Sequence, residues 1–392
     1  MAIIEGWVTG LKNGSNSNNI DIHPSLFSYN LEESIHSLLP TGKITLSNPA
    51  GIFTEGGLFI NGFTLQVYLA VNKIKLSPKY TVFGYSTQPH SRPEGFSPKL
   101  ELLLKHDWIN KQSIKSAAYK NRLSEVYKQL LTPDGFTFDF NDTGNDAYWY
   151  QNLETQIQFI ERTLENCYSM NSSESPFFAY ITSDNKFHLR NASSLENQSP
   201  KKTFYLRYSE GRKNFSDNIY SIQKIDDGSF SYLNHKAKNV FTMDRTTGNL
   251  ISTVDQFIAH PLQRQGKILA QDIGTNVTSN IDMSYSETDI GLQENLKGQV
   301  INSYKKVYFL DRFTMAGIQD SDNLALRAGD TIELKVASMG GNTYNKLLSQ
   351  KFVIEKKVEI WDGLQSQTSF VLVLGRRTAT VPSSLFVFNQ LS

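Results

Sequence analysis

Side chains that could do chemistry are scattered along this 392-residue chain and are not grouped at catalytic or metal-binding spacings. The single cysteine, Cys167, could act as a nucleophile, but it falls on the apolar stripe of a predicted helix, where a free thiol is usually buried. His106, His235 and His260 stand far apart, without the spacing of metal ligands. The pattern favours a structural thiol and individually satisfied or solvated histidines.

Acidic residues provide two further candidates for chemistry. Asp320-Ser321-Asp322-Asn323 resembles the start of a calcium-binding loop, but Leu326 stands where that loop requires glycine, and the closing glutamate is absent. Glu32-Glu33 and Asp226-Asp227 could form acid–base pairs. Adjacent residues of a strand point to opposite faces, however. An Asx-rich turn and two solvated strand ends are therefore expected.

The aromatic cluster Tyr148-Trp149-Tyr150 could form a carbohydrate platform or an interface anchor. Packing of a loop onto the following helix is the favoured interpretation. The sequence contains no phosphate-binding glycine loop, no Gly-x-Ser-x-Gly turn and no His-Glu-x-x-His helix. We therefore predict no catalytic, cofactor-binding or metal-binding residue, and we expect a protein that is not an enzyme.

Bulk properties narrow the function classes further. The length predicts two or three domains. With 39 basic and 38 acidic residues, the net charge of +1 offers no field for general nucleic-acid binding. The N-terminus lacks the features of a signal peptide, and the longest apolar runs are about half a dozen residues, far below the ~20 that span a bilayer. We expect synthesis in a cytoplasm and no membrane insertion.

A β-rich pattern occurs twice in the chain, over residues 58–69 and 325–336. Aligned on Gly62 and Gly329, each copy places a turn glycine two residues before a threonine and then alternates polar with apolar residues. Alternation at period two is typical of a strand with one buried and one solvated face. The polar phase comprises Thr64, Gln66, Tyr68, Thr331, Glu333 and Lys335.

The segments between these patterns indicate the domain organisation. Residues 1–105 carry short apolar runs separated by turn clusters, which favours a barrel or a sandwich. Residues 106–202 change period, and they predict helices at 112–131 and 152–168 and a small hairpin at 176–190. This part is expected to form a helical α+β domain.

The β pattern then resumes in a discontinuous second domain, which we place at 203–245 and 310–380. An insertion at 246–309 separates its two parts, and a capping-box spacing predicts a helix there at about 287–309. Residues 381–392 form a short C-terminal tail.

Two blocks of the sequence carry a resemblance to a known family. In the first, a strand at 43–47 leads into the turn Asn48-Pro49-Ala50-Gly51 and a glycine-bounded strand start at 55–62. In the second, the predicted helix 287–309 precedes a strand at 311–318 and the segment Ala328-Gly329-Asp330-Thr331-Ile332. This order, over most of the chain, resembles the baseplate hub proteins of contractile-tailed bacteriophages. It is also similar to the N-terminal part of type VI secretion spike proteins and to tail-tip proteins of long-tailed phages.

The resemblance implies a mainly β fold with α+β insertions, in which two tube-like β-barrel domains accompany the helical domain and the smaller insertion. It implies a non-enzymatic structural protein of the virion tail baseplate, assembled in the host cytoplasm. Three chains would form a homotrimeric ring that adapts the sixfold tail tube to a threefold central spike. Partners would be the tail tube protein, the spike protein, and baseplate wedge or other tail proteins.

The resemblance also implies a channel through which genomic DNA passes without specific binding, consistent with the near-neutral charge. Strands of both β-domains would pair edge to edge into a continuous inner wall. Candidate lumen-facing positions are Thr64, Gln66, Thr331, Glu333 and Lys335.

Two alternatives stay open from the sequence. One is a tail-tip or distal tail protein of a non-contractile phage, which would share the same domains. The other is a receptor-binding tail protein that recognises glycans. No spike-like extension follows residue 380, so a separate spike protein is expected rather than a fused one.

Overall fold

The structure of the chain is a computed structural model. It describes residues 4–9, 19–21, 25–47, 66–71, 74–88, 99–144, 146–169, 175–206, 219–226, 238–243, 250–254, 280–283, 302, 305, 308–309, 311–318, 325–337, 344–345, 349–362 and 367–376. Most of these residues lie in strands and a few in short helices, so the prediction of a mainly β fold is confirmed.

The first β region contains seven strands. They are β1 (Ile4–Thr9), β2 (Asn19–Asp21), β3 (Leu26–Ser34), β4 (Thr41–Ser47), β5 (Gln66–Val71), β6 (Ile74–Gln88) and β7 (Lys99–His106). Alternation decides which face of these strands is buried. In β7, Leu100, Leu102 and Leu104 are fully buried, whereas Leu103 is 41% exposed.

The middle unit follows, with a 3₁₀-helix at Asp107–Lys111 and another at Thr132–Asp134. Its strands are β8 (Lys115–Asn121), β9 (Thr137–Phe140), β10 (Ala147–Glu154), β11 (Phe177–Thr182) and β12 (Lys186–Asn191). Its helices are α1 (Leu123–Leu131), α2 (Gln156–Leu164) and α3 (Ala192–Glu196). β8 pairs with β10, and β11, β12 and β9 form a second small sheet. A separate apolar core, which includes Trp108, Phe159 and Phe187, holds the unit together.

One helix prediction in this unit is wrong in its first half. Residues 112–131 were expected to form a single helix, but 115–121 form β8, and α1 begins only at Leu123. The cause is tertiary, because β8 pairs antiparallel with β10 and thereby half-buries Ala117 and Tyr119.

The second helix and the hairpin are confirmed with shorter bounds. α2 starts later than the predicted position 152, because Thr155 caps it and forms a capping box with Gln158. The predicted hairpin at 176–190 corresponds to β11 and β12, joined by a turn at Ser183–Asn185.

The remaining strands belong to the second β region and to the predicted insertion. They are β13 (Lys202–Leu206), β14 (Ile219–Asp226), β15 (Lys238–Met243), β16 (Leu250–Val254), β17 (Asn280–Met283), β18 (Asp311–Ile318), β19 (Thr331–Val336), β20 (Lys351–Asp362) and β21 (Gln367–Arg376). β15 pairs with β16 and β17 in a separate three-stranded sheet. The predicted helix at about 287–309 lies outside the described residues, apart from four positions near its end.

Both β regions form one 13-stranded sheet in the order β14–β18–β21–β20–β3–β4–β7–β6–β5–β1–β2, with β19 and β13 attached beside β20. β3 and β20 form the junction between the two regions. They pair antiparallel, with Ser28 opposite Asp362 at one end and Ser34 opposite Lys356 at the other. The end strands β2 and β14 do not pair with each other in the part of the chain that is described, so the sheet is open there.

Candidate functional site

The junction of β3 and β20 brings charged side chains into the buried face of the sheet. This buried face carries the apolar core of each region, with Tyr29, Leu31 and Leu102 on one side and Leu372 and Leu374 on the other. At this junction lie buried polar residues, which we call the ionic seam, together with their partners. Glu33, Lys357 and Glu359 lie between the two cores, and Glu355 lies on the other side of the sheet, beside Gly375 and Arg312.

Lys357 and Glu359 form a buried ion pair in the seam. Their side chains are 2% and 7% exposed, and Lys357 Nζ lies 2.6 Å from Glu359 Oε1. Lys357 also donates to the backbone oxygen of Leu326 at 2.7 Å. Because each charge compensates the other away from water, removing one of them would leave the other costly to bury.

Glu33 ties three parts of the chain together. One carboxylate oxygen accepts hydrogen bonds from the backbone N–H and the hydroxyl of Ser183, both at 2.9 Å, and the other accepts from the backbone N–H of Ala328 at 2.9 Å. The expectation that Glu32-Glu33 is a solvated strand end is therefore wrong for Glu33, which is 5% exposed. Pairing of β3 with β20 places Glu33 beneath the middle unit.

Glu355 occupies a β-bulge in β20, between Ile354 and Lys356. Its carboxylate accepts two hydrogen bonds from the Arg312 guanidinium, each at 2.9 Å, and lies 2.6 Å from Nε2 of His36. Gly375 makes room for this group, since a Cβ there would stand 2.2 Å from Glu355 Oε1. The seam thus joins β3, β18, β20 and β21 through one carboxylate.

A water-sized cavity lies within the seam, lined by Leu31, Glu33, Tyr80, Ser183, Lys357 and Glu359 among others. Burial, with the nearby Glu33 and Glu359 carboxylates adding to it, raises the pKa of Tyr80 well above its ordinary value. Tyr80 therefore stays protonated at neutral pH. On the same buried face of the sheet, burial lowers the pKa of His106 to about 4.

Away from Glu355, the opposite side of the sheet is open to solvent. One row of the strand register crosses five strands through Ser369, Ile360, Asn30, Lys43 and Leu103, and all five are half-buried or exposed. We call this side the open face, and define it as the outward positions of β18, β21, residues 356–362 of β20, β3, β4 and β7. It runs without interruption from the second β region into the first.

The predicted lumen positions fall in different environments. Thr331 is 1% exposed and donates to the backbone oxygen of Leu195, whereas Glu333 and Lys335 are half-buried. Gln66 pairs with Thr81, which pairs with Lys105 of the open face. Thr64 lies outside the described residues. Among the described positions, Thr331 is therefore in a different environment from Glu333 and Lys335.

The structure does bring together one row of side chains that resembles a catalytic triad. His188 stands between Thr182, at 2.9 Å from its hydroxyl, and Asp139, at 3.1 Å from its carboxylate. The hydrogen bond with His188, reinforced by Arg190, holds the pKa of Asp139 well below its usual range. Thr182 is 0% exposed, so its hydroxyl offers no approach to a substrate. The cluster lies beside the turn whose Ser183 donates hydrogen bonds to Glu33.

The other described residues that the sequence analysis singled out are buried or packed in the core. Cys167 is buried as predicted, and burial raises the pKa of its thiol. His106 is buried, and its Nδ1 accepts from the backbone N–H of Trp108. Trp149 lies on β10, not on a loop, where it packs into the middle core and donates to the backbone oxygen of Asn121. His235, His260, Asp227 and the segment 320–323 lie outside the described residues.

Within the described ranges no group of three or more metal-ligating side chains is found. None of the described helices is long and apolar enough to span a bilayer.

The ionic seam escaped the sequence-based prediction. Glu33, Lys357 and Glu359 sit in polar stretches that look like solvated strand ends, and nothing local marks them as buried. The run Glu355-Lys356-Lys357-Val358-Glu359 has no alternation that would separate its buried charges from its partly exposed one.

Comparisons with known proteins identify the fold. No protein-family model and no curated protein sequence matches this chain. A tail protein from Neisseria meningitidis superposes with a TM-score of 0.58 at 10% identity, covering 97% of this chain and 98% of its own. The 43 kDa tail protein of prophage MuSo2 from Shewanella oneidensis gives 0.55 at 9% identity, covering 96% and 97%. The chain therefore has the fold of these tail proteins over nearly its whole length, and the resemblance to tail hub proteins is confirmed as a likeness of fold.

Proposed function

We propose that this protein is a non-enzymatic structural component of a phage tail, and that three copies form the hub ring of its baseplate. The observation that carries the proposal is the single sheet that crosses both β regions and presents one uninterrupted open face. In a hub, such a face is the wall of a channel that continues the tail tube.

The two ends of the sheet suggest how copies would join. β14 and β2 end the described strand path, and each leaves one edge without a described partner. A head-to-tail contact between the β14 end of one copy and the β2 end of the next is heterologous, and it closes into a ring when the rotation fits. Three copies would supply six β regions, and each region would close into a tube-like barrel in the assembly. Six similar barrels in a ring of three chains would match a sixfold tube on one side and a threefold spike on the other.

The open face, with Asn30 and Leu103 among its exposed residues, is the proposed channel wall. The predicted lumen positions Glu333 and Lys335 of β19, together with Gln66 and Thr64, would extend this wall. The proposed partners are the tail tube, the central spike and the wedge proteins, and the proposed location is the virion baseplate after assembly in the host cytoplasm.

Light scattering of the purified chain, paired with negative-stain images, tests the ring. We expect a species near three times 44.4 kDa that appears as a ring with six lobes and a central channel. A stable dimer, or a compact trimer without a channel, would contradict the hub. Saturable binding to a glycan would favour a receptor-binding protein, although burial of Trp149 leaves only Tyr148 and Tyr150 for a platform.

Cysteine labelling tests which face lines the channel. Cys167 is buried, so a thiol reagent should label only a newly introduced cysteine. We would introduce one at Asn30 and, as a control on the middle unit, one at exposed Ala118. In the assembled ring, we expect a small maleimide to label both positions and a polymer-linked maleimide to label only A118C. Equal labelling of N30C by the large reagent would show that the open face is not a channel wall.

A further inference from the structure

The open face carries five described basic residues, and each of them has a partner. Lys43 pairs with Glu101 at 2.8 Å and Lys356 pairs with Glu32 at 2.7 Å. Arg312 donates two hydrogen bonds to Glu355. The ammonium groups of the other two, Lys99 and Lys105, lie over aromatic rings.

Those two rings come from β-bulges. The register of β3 against β4 shifts between Leu26 and Ser28, so Phe27 is an extra residue, and its ring centroid is 3.7 Å from Lys99 Nζ. The register of β6 against β7 shifts between Val82 and Gly84, so Phe83 is extra, and its ring lies 4.7 Å from Lys105 Nζ. Because a bulge redirects a side chain, the two bulges place the rings of Phe27 and Phe83 next to the ammonium groups of Lys99 and Lys105.

Stability does not account for this arrangement. Solvent-exposed ion pairs and exposed cation–π contacts each contribute little to the free energy of folding. Outside the open face, Lys111 and Lys115 are exposed and have no ion-pair partner among the described residues. Most described basic residues elsewhere also have partners, such as Lys128 with Glu125 and Lys201 with Asp330. On the open face none of the five is left without one, and this concerns what the face meets.

We propose that the open face is a wall whose cations are masked so that double-stranded DNA slides past it without adhering. This inference rests on the proposed channel. Free lysines would exchange counterions for phosphates and bind DNA independently of sequence. A lysine held by a carboxylate or an aromatic ring must first lose that contact. Masking of cations matters for a polyanionic occupant and has little consequence for a neutral one.

Unmasking the lysines tests the proposal. In the full-length chain, the double variant E32Q/E101Q leaves Lys356 and Lys43 without their carboxylates. Fluorescence anisotropy with a labelled DNA duplex over a salt series would measure binding. We expect weak, shallow salt dependence for the wild type, and for the double variant a slope of log affinity against log salt that is steeper by about 2, at ~0.9 per phosphate contact.

Two controls separate masking from net charge and from folding. The variant E161Q/D142N makes the same charge change at exposed acids with no ion-pair partner among the described residues, and its slope should match the wild type. The swapped variant E32K/K356E keeps both the pair and the net charge, and it should also match. Circular dichroism would check that each variant is folded.

The proposal is overturned if the wild type already binds DNA as steeply as E32Q/E101Q, or if E32Q/E101Q binds no more steeply than E161Q/D142N. Images of the ring are read separately. If the ring forms but its DNA binding does not respond to E32Q/E101Q, the masking proposal is refuted and the proposed channel is unaffected. A steeper slope without any ring supports the masking and counts against the hub.

Discussion

The two faces of the joined sheet carry the same kinds of charged side chain under opposite conditions. On the buried face, Lys357 and Glu359 are 2% and 7% exposed, and on the open face the neighbouring Lys356 and its partner Glu32 are 35% and 37% exposed. The two lysines are adjacent in one strand and their ion pairs have nearly equal lengths. We therefore expect burial, rather than contact distance, to decide how much each ion pair contributes to the stability of the fold.

The largest expected effect separates the two lysines. K357A should destabilise the protein by about 3–5 kcal/mol, because it leaves Glu359 buried without its partner. K356A, one residue away, should cost less than about 1 kcal/mol. Urea unfolding of both variants measures the difference, and equal losses would break the comparison.

A double replacement sharpens the same point. K357M/E359L removes both buried charges and keeps apolar volume, so it should cost clearly less than K357A alone. If the double variant is as unstable as K357A, packing rather than charge decides the outcome.

The pH dependence of stability gives the next effect, through His106 on the buried face. Burial lowers the pKa of His106 to about 4, below its ordinary value of 6.5. The unfolded chain therefore takes up a proton between these values while the folded chain does not. Stability should fall by about 3 kcal/mol as the pH drops from 7 to 4. Asn can keep the cap acceptor for Trp108, so H106N should lose this part of the slope in urea titrations at several pH values.

Replacing Gly375 in the ionic seam should cause a smaller loss of stability. G375A should cost about 1–3 kcal/mol, because its Cβ would collide with the Glu355 carboxylate and with the Cβ of Phe309. Gly84, which also lies in the sheet, has its nearest neighbour at 3.6 Å. G84A is the matched control and should cost less than G375A in thermal unfolding.

The smallest expected effect concerns the open face. E101Q should change the free energy of unfolding by less than about 1 kcal/mol, and high salt should remove even that difference. Chemical denaturation at low and high salt measures it. A large, salt-resistant loss would mean that the pair with Lys43 is not solvent-exposed in solution.

The sequence was sufficient where local patterns decide the structure. Alternation identified the apolar phase of β19, and the predicted hairpin at 176–190 is confirmed as β11 and β12. Gly329 has a φ of +85°, and a Cβ there would meet the Tyr180 hydroxyl, which confirms it as a turn glycine.

Prediction failed where a distant strand changes the environment of a residue. The segment 115–121 has residues that suit a helix, yet its pairing with β10 makes it a strand. Glu33 looks like a solvated residue, yet its hydrogen bonds come from Ser183 and Ala328, 150 and 295 positions away. No local pattern contains such contacts, since their free energy arises only after distant segments have met.

The sequence by itself determined the mainly β character, the repeated alternating strands, the net charge of +1 and the resemblance to tail proteins. These follow from side-chain periodicity and composition, which each segment carries alone. Only the tertiary structure decided that β3 pairs with β20. That pairing buries Lys357 and leaves Lys356 in water, because two adjacent residues of a strand must point to opposite faces. It also decided which charges are masked, since bulges and cross-strand neighbours exist only in the assembled sheet.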